Sequence, residues 1–193
     1  MDEHDLIGRA RLGDKAALDA LWQRYRRWVA AVLLAHKPRE TDLDDLLQEV
    51  ALTVVEKLGQ LDDPKAFKPW LRTIAVNAAR ATGRKQTRRR GLLKLVRHEV
   101  ASVGSDGQGR WNHASGIERA ERSRRMTGLI DRLPEIYREC VLLRCVRGMT
   151  HAQISAITGL PETTVETRIA RGRRALRELA NEANTPQEKA ATP

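Results

Sequence analysis

The chain has 193 residues, of which 41% are hydrophobic and 31% charged, and a net charge of +10 at pH 7. That length suits one large or two small domains. The apolar run Val29 to Ala35 is far too short to cross a bilayer and no signal peptide precedes it, so a soluble, cytoplasmic protein without membrane insertion is expected.

Apolar residues follow a helical period almost throughout, with no convincing strand-like alternation, and the expected class is all-α. A short helix precedes a break near Gly13 and Asp14. A longer helix then starts near Lys15, its apolar face formed by Ala17, Leu18, Leu21, Trp22, Tyr25, Trp28, Val29 and Val32. These aromatic residues read as core before binding platform. From Thr41 to Leu58 a further helix is predicted, capped by Thr41 or Asp42, with Asp42, Asp44 and Asp45 at the positive end of its dipole. Leu43, Leu46, Leu47, Val50, Val54 and Leu58 make its buried stripe, leaving Asp45, Gln48, Glu49 and Leu52 on an adjoining, more exposed face. By itself that face is either solvated surface or a dock for another protein's basic helices.

Charge becomes informative once it is located. Residues 67–97 carry 10 Lys and Arg and no acid, equal to the excess of the whole chain. Within them, Phe67, Trp70, Leu71, Ile74, Ala75 and Ala78 line one helical face, while Lys68, Arg72, Asn77 and Arg80 lie beside or opposite it. Gly83, Arg84, Lys85 and Arg88 to Arg90 extend the positive strip. A strip of this density calls for a polyanion, and amides or rings beside it can read unpaired bases. A membrane surface is the competing partner, but the exposed side lacks the bulky apolar residues of an interfacial helix.

The pattern fails between Gly91 and Gly116, above all in SVGSDGQGRWNHASG, which reads as a flexible linker with Trp111 either anchoring or idle. Helical periodicity resumes from Ile117 to Leu133. Pro134 opens a helix over 135–147, with Ile136, Cys140 and Leu143 facing inward. Cys140 and Cys145 are five residues apart and so fall on separate faces, which argues against a shared metal; both read as buried, small hydrophobes. The histidines lack ligand spacing, and no nucleophile or phosphate-loop motif is present. The reading is therefore no metal, no cofactor and no catalytic residue.

The most informative stretch is Gly148 to Leu179. Thr150 and Gln153 have capping-box spacing, Gly159 suits a helix end, and Pro161 suits the next helix start. Val165, Ile169, Leu176 and Leu179 then recur at helical spacing among Arg168, Arg171, Arg173, Arg174 and Arg177. An ordinary hairpin with a solvated basic face would share the charge. The order of cap, turn glycine, proline and basic helix favours a helix-turn-helix whose second helix enters a major groove. Residues after about 184 read as a disordered tail.

Two stretches resemble one family. DLDDLLQEVALTVVEKL with FKPWLRTIAVNAAR is similar to region 2 of bacterial sigma factors, and LPEIYRECVLLRCVRGMTHAQISAITGLPETTVETRIARGRRALREL to region 4. The lack of further domains resembles the small extracytoplasmic-function group. The resemblance implies two small helical domains, 1–90 and 117–184, joined by the linker 91–116 and followed by the tail 185–193. It implies a factor with no enzymatic activity that binds core RNA polymerase, through the β′ clamp helices and β flap, and directs it to promoter DNA in a bacterial cytoplasm. An anti-sigma factor is a further implied partner. By matching position, Asp45, Leu46, Gln48 and Glu49 would dock on polymerase. Arg72, Asn77, Arg80, Arg84 and Lys85 would engage and open the minus-ten element. Thr163, Thr164, Glu166, Thr167, Arg168, Arg171 and Arg174 would read the minus-thirty-five element.

Three positions depart from the family pattern. Ala51 and Val55 stand where bulky aromatics are common, implying lighter packing of the docking helix. Glu166 replaces an expected cation; it either accepts from a cytosine N4 or merely faces solvent or pairs with a neighbour such as Arg173. A freestanding helix-turn-helix regulator is the alternative function, though it leaves the first domain's acidic and basic faces without a purpose.

Overall fold

The structure, a computed structural model, describes residues 2–96 and 125–184, with side chains described for 2–87 and 125–182. Residues 97–116 of the expected linker, Trp111 and the tail 185–193 lie outside these, as do the side chains of Arg88, Arg89 and Arg90. Among the described residues every regular element is helical. They are α1 (Glu3–Arg11), α2 (Lys15–His36), α3 (Leu43–Lys57), α4 (Phe67–Val96), α5 (125–132), α6 (Glu135–Arg147), α7 (His151–Thr158) and α8 (Glu162–Asn184). Two short 3-10 turns, Leu58–Gln60 and Pro64–Ala66, connect α3 to α4.

Side-chain caps set the starts of the first helices. Asp14 accepts from the Ala17 amide at 3.1 Å and is held by the Arg9 guanidinium at 2.6 Å, so one carboxylate ends the α1–α2 turn and opens α2. Asp42 caps α3 by accepting from the Asp44 amide at 2.8 Å. The loop before α3 is organised by Lys37, which sequence periodicity did not single out. Its side chain is buried, and its ammonium donates to the Thr41 carbonyl at 2.9 Å. α4 runs on to Val96, six residues past the expected domain end at residue 90, giving a rod about 45 Å long. Gly91 does not stop it, because glycine costs a helix only about 1 kcal/mol relative to alanine.

α1 to α4 pack around Leu21, Val29, Val32, Leu46, Val50, Phe67, Leu71 and Ala75, all buried. The second module is built on α6, α7 and α8, whose core residues Cys140, Leu143, Ile154, Val165 and Ile169 are also buried. Ile136 and Cys145, expected to face inward, are exposed. Cys145 lies off the stripe that α8 and α2 cover, whereas Ile136 shares the face of Cys140 and Leu143 but sits in the first turn of α6, at the edge of a groove left open beside α8.

Gly172 lies where α8 crosses α6. A methyl group there would collide with Val141 and come within 3.0 Å of the Tyr137 Cβ. Gly172→Ala is thus expected to destabilise by about 1–3 kcal/mol through overpacking, outweighing alanine's helix preference of about 1 kcal/mol. A urea titration in which the variant gains stability would show that the helices have room to part.

The two modules do not stand apart. α6 lies along α2, and Ala31 and Ala35 of α2 share a buried cluster with Ile130 and Leu142. Arg39 reaches across to the Asp131 carbonyl at 2.7 Å. The sequence suggested two modules acting at separate points; it gave no sign of this seam.

Candidate nucleic-acid and polymerase interfaces

On α3, Asp45, Gln48, Glu49 and Leu52 are exposed, at the i, i+3, i+4, i+7 spacing of a single stripe. Leu52 is 65% exposed, as an apolar side chain in the middle of an acidic face. Leu46 departs from the expected docking set. It is only 2% exposed and packs in the core, because it is turned about 60–100° round the helix from Asp45 and Glu49, onto the edge that faces α2 and α4. Here its side chain seats α3 in the core. Beside the stripe, Ala51 and Val55 line an apolar groove with Leu18, Trp22, Phe67 and Leu71, enclosing about 140 Å³. Small side chains on α3 leave that space open.

On α4, Asn77, Arg80, Arg84 and Lys85 are all exposed. Arg80 and Arg84 lie one turn apart and border a shallow groove with Gly83 and Thr87. Gln86 donates to the Thr41 hydroxyl at 2.9 Å, fastening this stretch to the region that Lys37 organises.

Arg72 is set apart from that strip. It is half-buried, and its guanidinium makes a two-pronged pair with Glu139 of α6, at 2.5 Å from Nε and 2.7 Å from Nη2. His36 of α2 adds a third contact, Nε2 to the same carboxylate at 3.0 Å. A carboxylate only accepts, so Nε2 carries the proton. Burial pushes the Glu139 carboxyl up, but the hydrogen bonds from His36 and Arg72 outweigh it and hold the group at about 2. Arg72 is therefore not part of an open strip in this conformation. Nothing in the local sequence marks Glu139 as its partner, since the two are 67 residues apart.

The helix-turn-helix is α7, the turn at Gly159, and α8. Thr150 and Gln153 form the capping box, each satisfying the other's free amide, at 3.2 and 3.0 Å. Gly159 has φ of +72°, a left-handed conformation that glycine adopts without the steric cost a side chain brings. Pro161 then precedes α8, its carbonyl accepting from Thr164 and Val165. Of the expected reading residues, Thr163, Glu166, Thr167, Arg171 and Arg174 are exposed along one side. Thr164 and Arg168 are half-buried; with Ile136 and Tyr137 they edge a groove between α8 and α6. The Thr167 hydroxyl donates to the Thr163 carbonyl at 2.8 Å, and Arg174 pairs with Glu178 at 2.9 Å. Glu166 makes no ion pair among the described residues, so the pairing with Arg173 is not made.

No cluster of metal-ligating side chains occurs among the described residues, nor is any described helix long and apolar enough to cross a membrane. An acidic stripe, a basic rod and a helix-turn-helix on an all-helical scaffold define a nucleic-acid-binding factor that also has a surface for a protein.

Comparison with known proteins is more specific. The family profile for Sigma-70 region 2 matches residues 21–89, and that for Sigma-70 region 4 matches residues 123–176. RNA polymerase sigma factor NccH of Alcaligenes xylosoxydans xylosoxydans is 32% identical over 174 residues, spanning 90% of this chain and 92% of that protein. The ECF RNA polymerase sigma-E factor of Escherichia coli (strain K12) is 30% identical over 173 residues, 89% of this chain and 90% of that one. The same fold occurs in the solved structure of CnrH in complex with the cytosolic domain of CnrY (24% identity, TM-score 0.64, 95% of this chain and 99% of that one). It occurs again in the sigma factor RpoE of Bartonella quintana in complex with the anti-sigma factor NepR (20% identity, TM-score 0.58, 84% and 96%). The chain belongs to the extracytoplasmic-function group of the sigma-70 family: it is a promoter-directing transcription initiation factor and not an enzyme.

Proposed function

We propose a division of that role among three surfaces. The α3 stripe of Asp45, Gln48 and Glu49, with Leu52 as its apolar centre, docks on the β′ clamp helices of core polymerase. The exposed part of α4, Asn77 to Lys85, holds the non-template strand at the minus-ten element, its cations on phosphates and Asn77 at a base edge. The outer side of α8, from Thr163 to Arg174, reads the minus-thirty-five element while its module meets the β flap. Leu46 belongs to the core, and Arg72 joins the strip only when Glu139 releases it. Duplex opening is driven by trapping unpaired bases, with no nucleotide hydrolysed. The factor acts in the bacterial cytoplasm, and an anti-sigma protein covers the same surfaces between signals.

The observation that carries this reading is segregation by sign. Acid is concentrated on exposed α3 and base on exposed α4, two neighbouring helices of one core, so polymerase and DNA can be gripped at once without competing. Run-off transcription with bare core polymerase on a promoter library tests it. The chain is expected to give initiation at a small set of sites. No specific initiation by folded protein would overturn it.

Glu166 supplies a sharper check. It is exposed at the fifth position of α8, a reach suited to the major groove. If it accepts from a cytosine N4, Glu166→Arg should shift the preferred minus-thirty-five base at that position, a change worth about 1–3 kcal/mol of discrimination. An unchanged preference in a promoter-selection assay would return Glu166 to the solvent.

A further inference from the structure

We infer that the free chain is self-closed: Glu139 of α6 clasps Arg72 of α4 and His36 of α2, locking the second module against the first and withholding Arg72 from DNA. The inference rests on the DNA-binding role proposed above for the α4 strip, and adds its regulation.

The clasp joins three helices through one side chain. Glu139 is 8% exposed, and its two carboxylate oxygens accept two bonds from Arg72 and one from His36. The other ring nitrogen of His36 lies 3.9 Å from Glu135, one turn earlier on α6. Around this polar centre the seam is apolar and narrow, with alanines 31 and 35 letting α6 approach α2 closely. In a buried trio of this kind desolvation consumes much of the Coulombic gain, leaving a modest net contribution. That balance suits a contact made to be exchanged.

A carboxylate and a phosphate present the same fork to a guanidinium. Glu139 therefore occupies Arg72 as a backbone phosphate would, and strand and module compete for one cation. Size gives a second reason for the closed form to be inactive. Elements centred about 25 base pairs apart are separated by about 85 Å at 3.4 Å per step. A compact globule of this length has a radius of gyration of about 16 Å. A closed chain cannot reach both elements, so α6 must leave α2 before both modules bind.

The test compares full-length wild type with Glu139→Gln by small-angle X-ray scattering, and by binding of a fluorescent single-stranded oligonucleotide without polymerase. Asp62→Asn, an exposed site on the first module, controls for the loss of one negative charge. Wild type and the control should scatter as compact particles. Glu139→Gln should show a larger radius of gyration and bind the strand about tenfold more tightly than the control. Should Glu139→Gln lose helicity, His36→Ala removes one arm of the clasp from the other module and is expected to expand in the same way. A wild type already extended, or folded variants as compact as wild type, would overturn the clasp. Expansion with no gain in strand affinity would overturn the withholding of Arg72. Failure of every form to bind the strand, with the scattering as expected, would count against the α4 reading and leave the clasp standing.

Discussion

Replacing Phe67 with alanine is expected to lower the melting temperature by about 6–20 °C. Phe67 opens α4 and is 2% exposed. Its ring meets Tyr25 edge-on at 5.1 Å and Trp70 at 5.9 Å, joining α2 to α4. Truncating a buried phenylalanine to alanine typically costs about 3–5 kcal/mol. For a domain of 150–250 residues, each kcal/mol moves the midpoint by about 2–4 °C. The site is poorly placed to collapse, because Phe67 already borders the groove beside Ala51 and Val55, and truncation only widens that space. The loss should therefore lie towards the upper end. Thermal melting followed by circular dichroism at 222 nm checks it; a shift under about 2 °C would mean the ring does not hold α2 and α4 together.

Reversing two charges on α3, Asp45→Lys with Glu49→Lys, is expected to weaken binding to core polymerase about 100-fold and to abolish run-off transcription at limiting factor. Both side chains are exposed, so the fold should survive. Asp45 lies in the first turn of α3, where an acid suits the helix dipole, and its reversal costs about 0.3–1 kcal/mol. Like charges facing each other across an interface cost far more, and they lower the encounter rate as well. The same variant should bind a single-stranded oligonucleotide at least as well as wild type, since α4 is unaltered and the net charge rises. Unchanged polymerase affinity would remove the α3 stripe from the docking surface. Loss of strand binding together with polymerase binding would indicate misfolding instead.

The parts of the fold that were legible in the sequence are those set by neighbouring residues. The capping box of Thr150 and Gln153, the left-handed turn at Gly159 and the Asp42 cap each depend on groups within a few residues, and each forms as read. The apolar stripes of α2, α3 and α4 were equally plain, since helical spacing alone decides which side chains can share a face. Where the reading failed, the deciding partner was remote. Composition and periodicity place Cys145 and Ile136 inward, but how far round α6 and how far along it the cover extends depends on where α2 and α8 lie. Helical spacing puts Leu46 in the core while the resemblance puts it among the docking residues, and in this chain it packs in the core. Gly172 carries no local signal of its close approach to Val141, because in an isolated helix it would only be a weak point.

The sequence by itself determined that this chain is helical, where its helices are capped and turned, and that acid and base are sorted onto different segments. Those properties follow from torsional preference, local hydrogen bonding and periodicity, which need no knowledge of the rest of the molecule. Only the tertiary structure decided that α6 lies against α2 and that Glu139 meets Arg72 and His36. Residues 67 and 103 positions apart in sequence come within hydrogen-bonding distance when the helices that carry them pack. No spacing rule reaches that far, because the contact is set by the shape of the assembled seam.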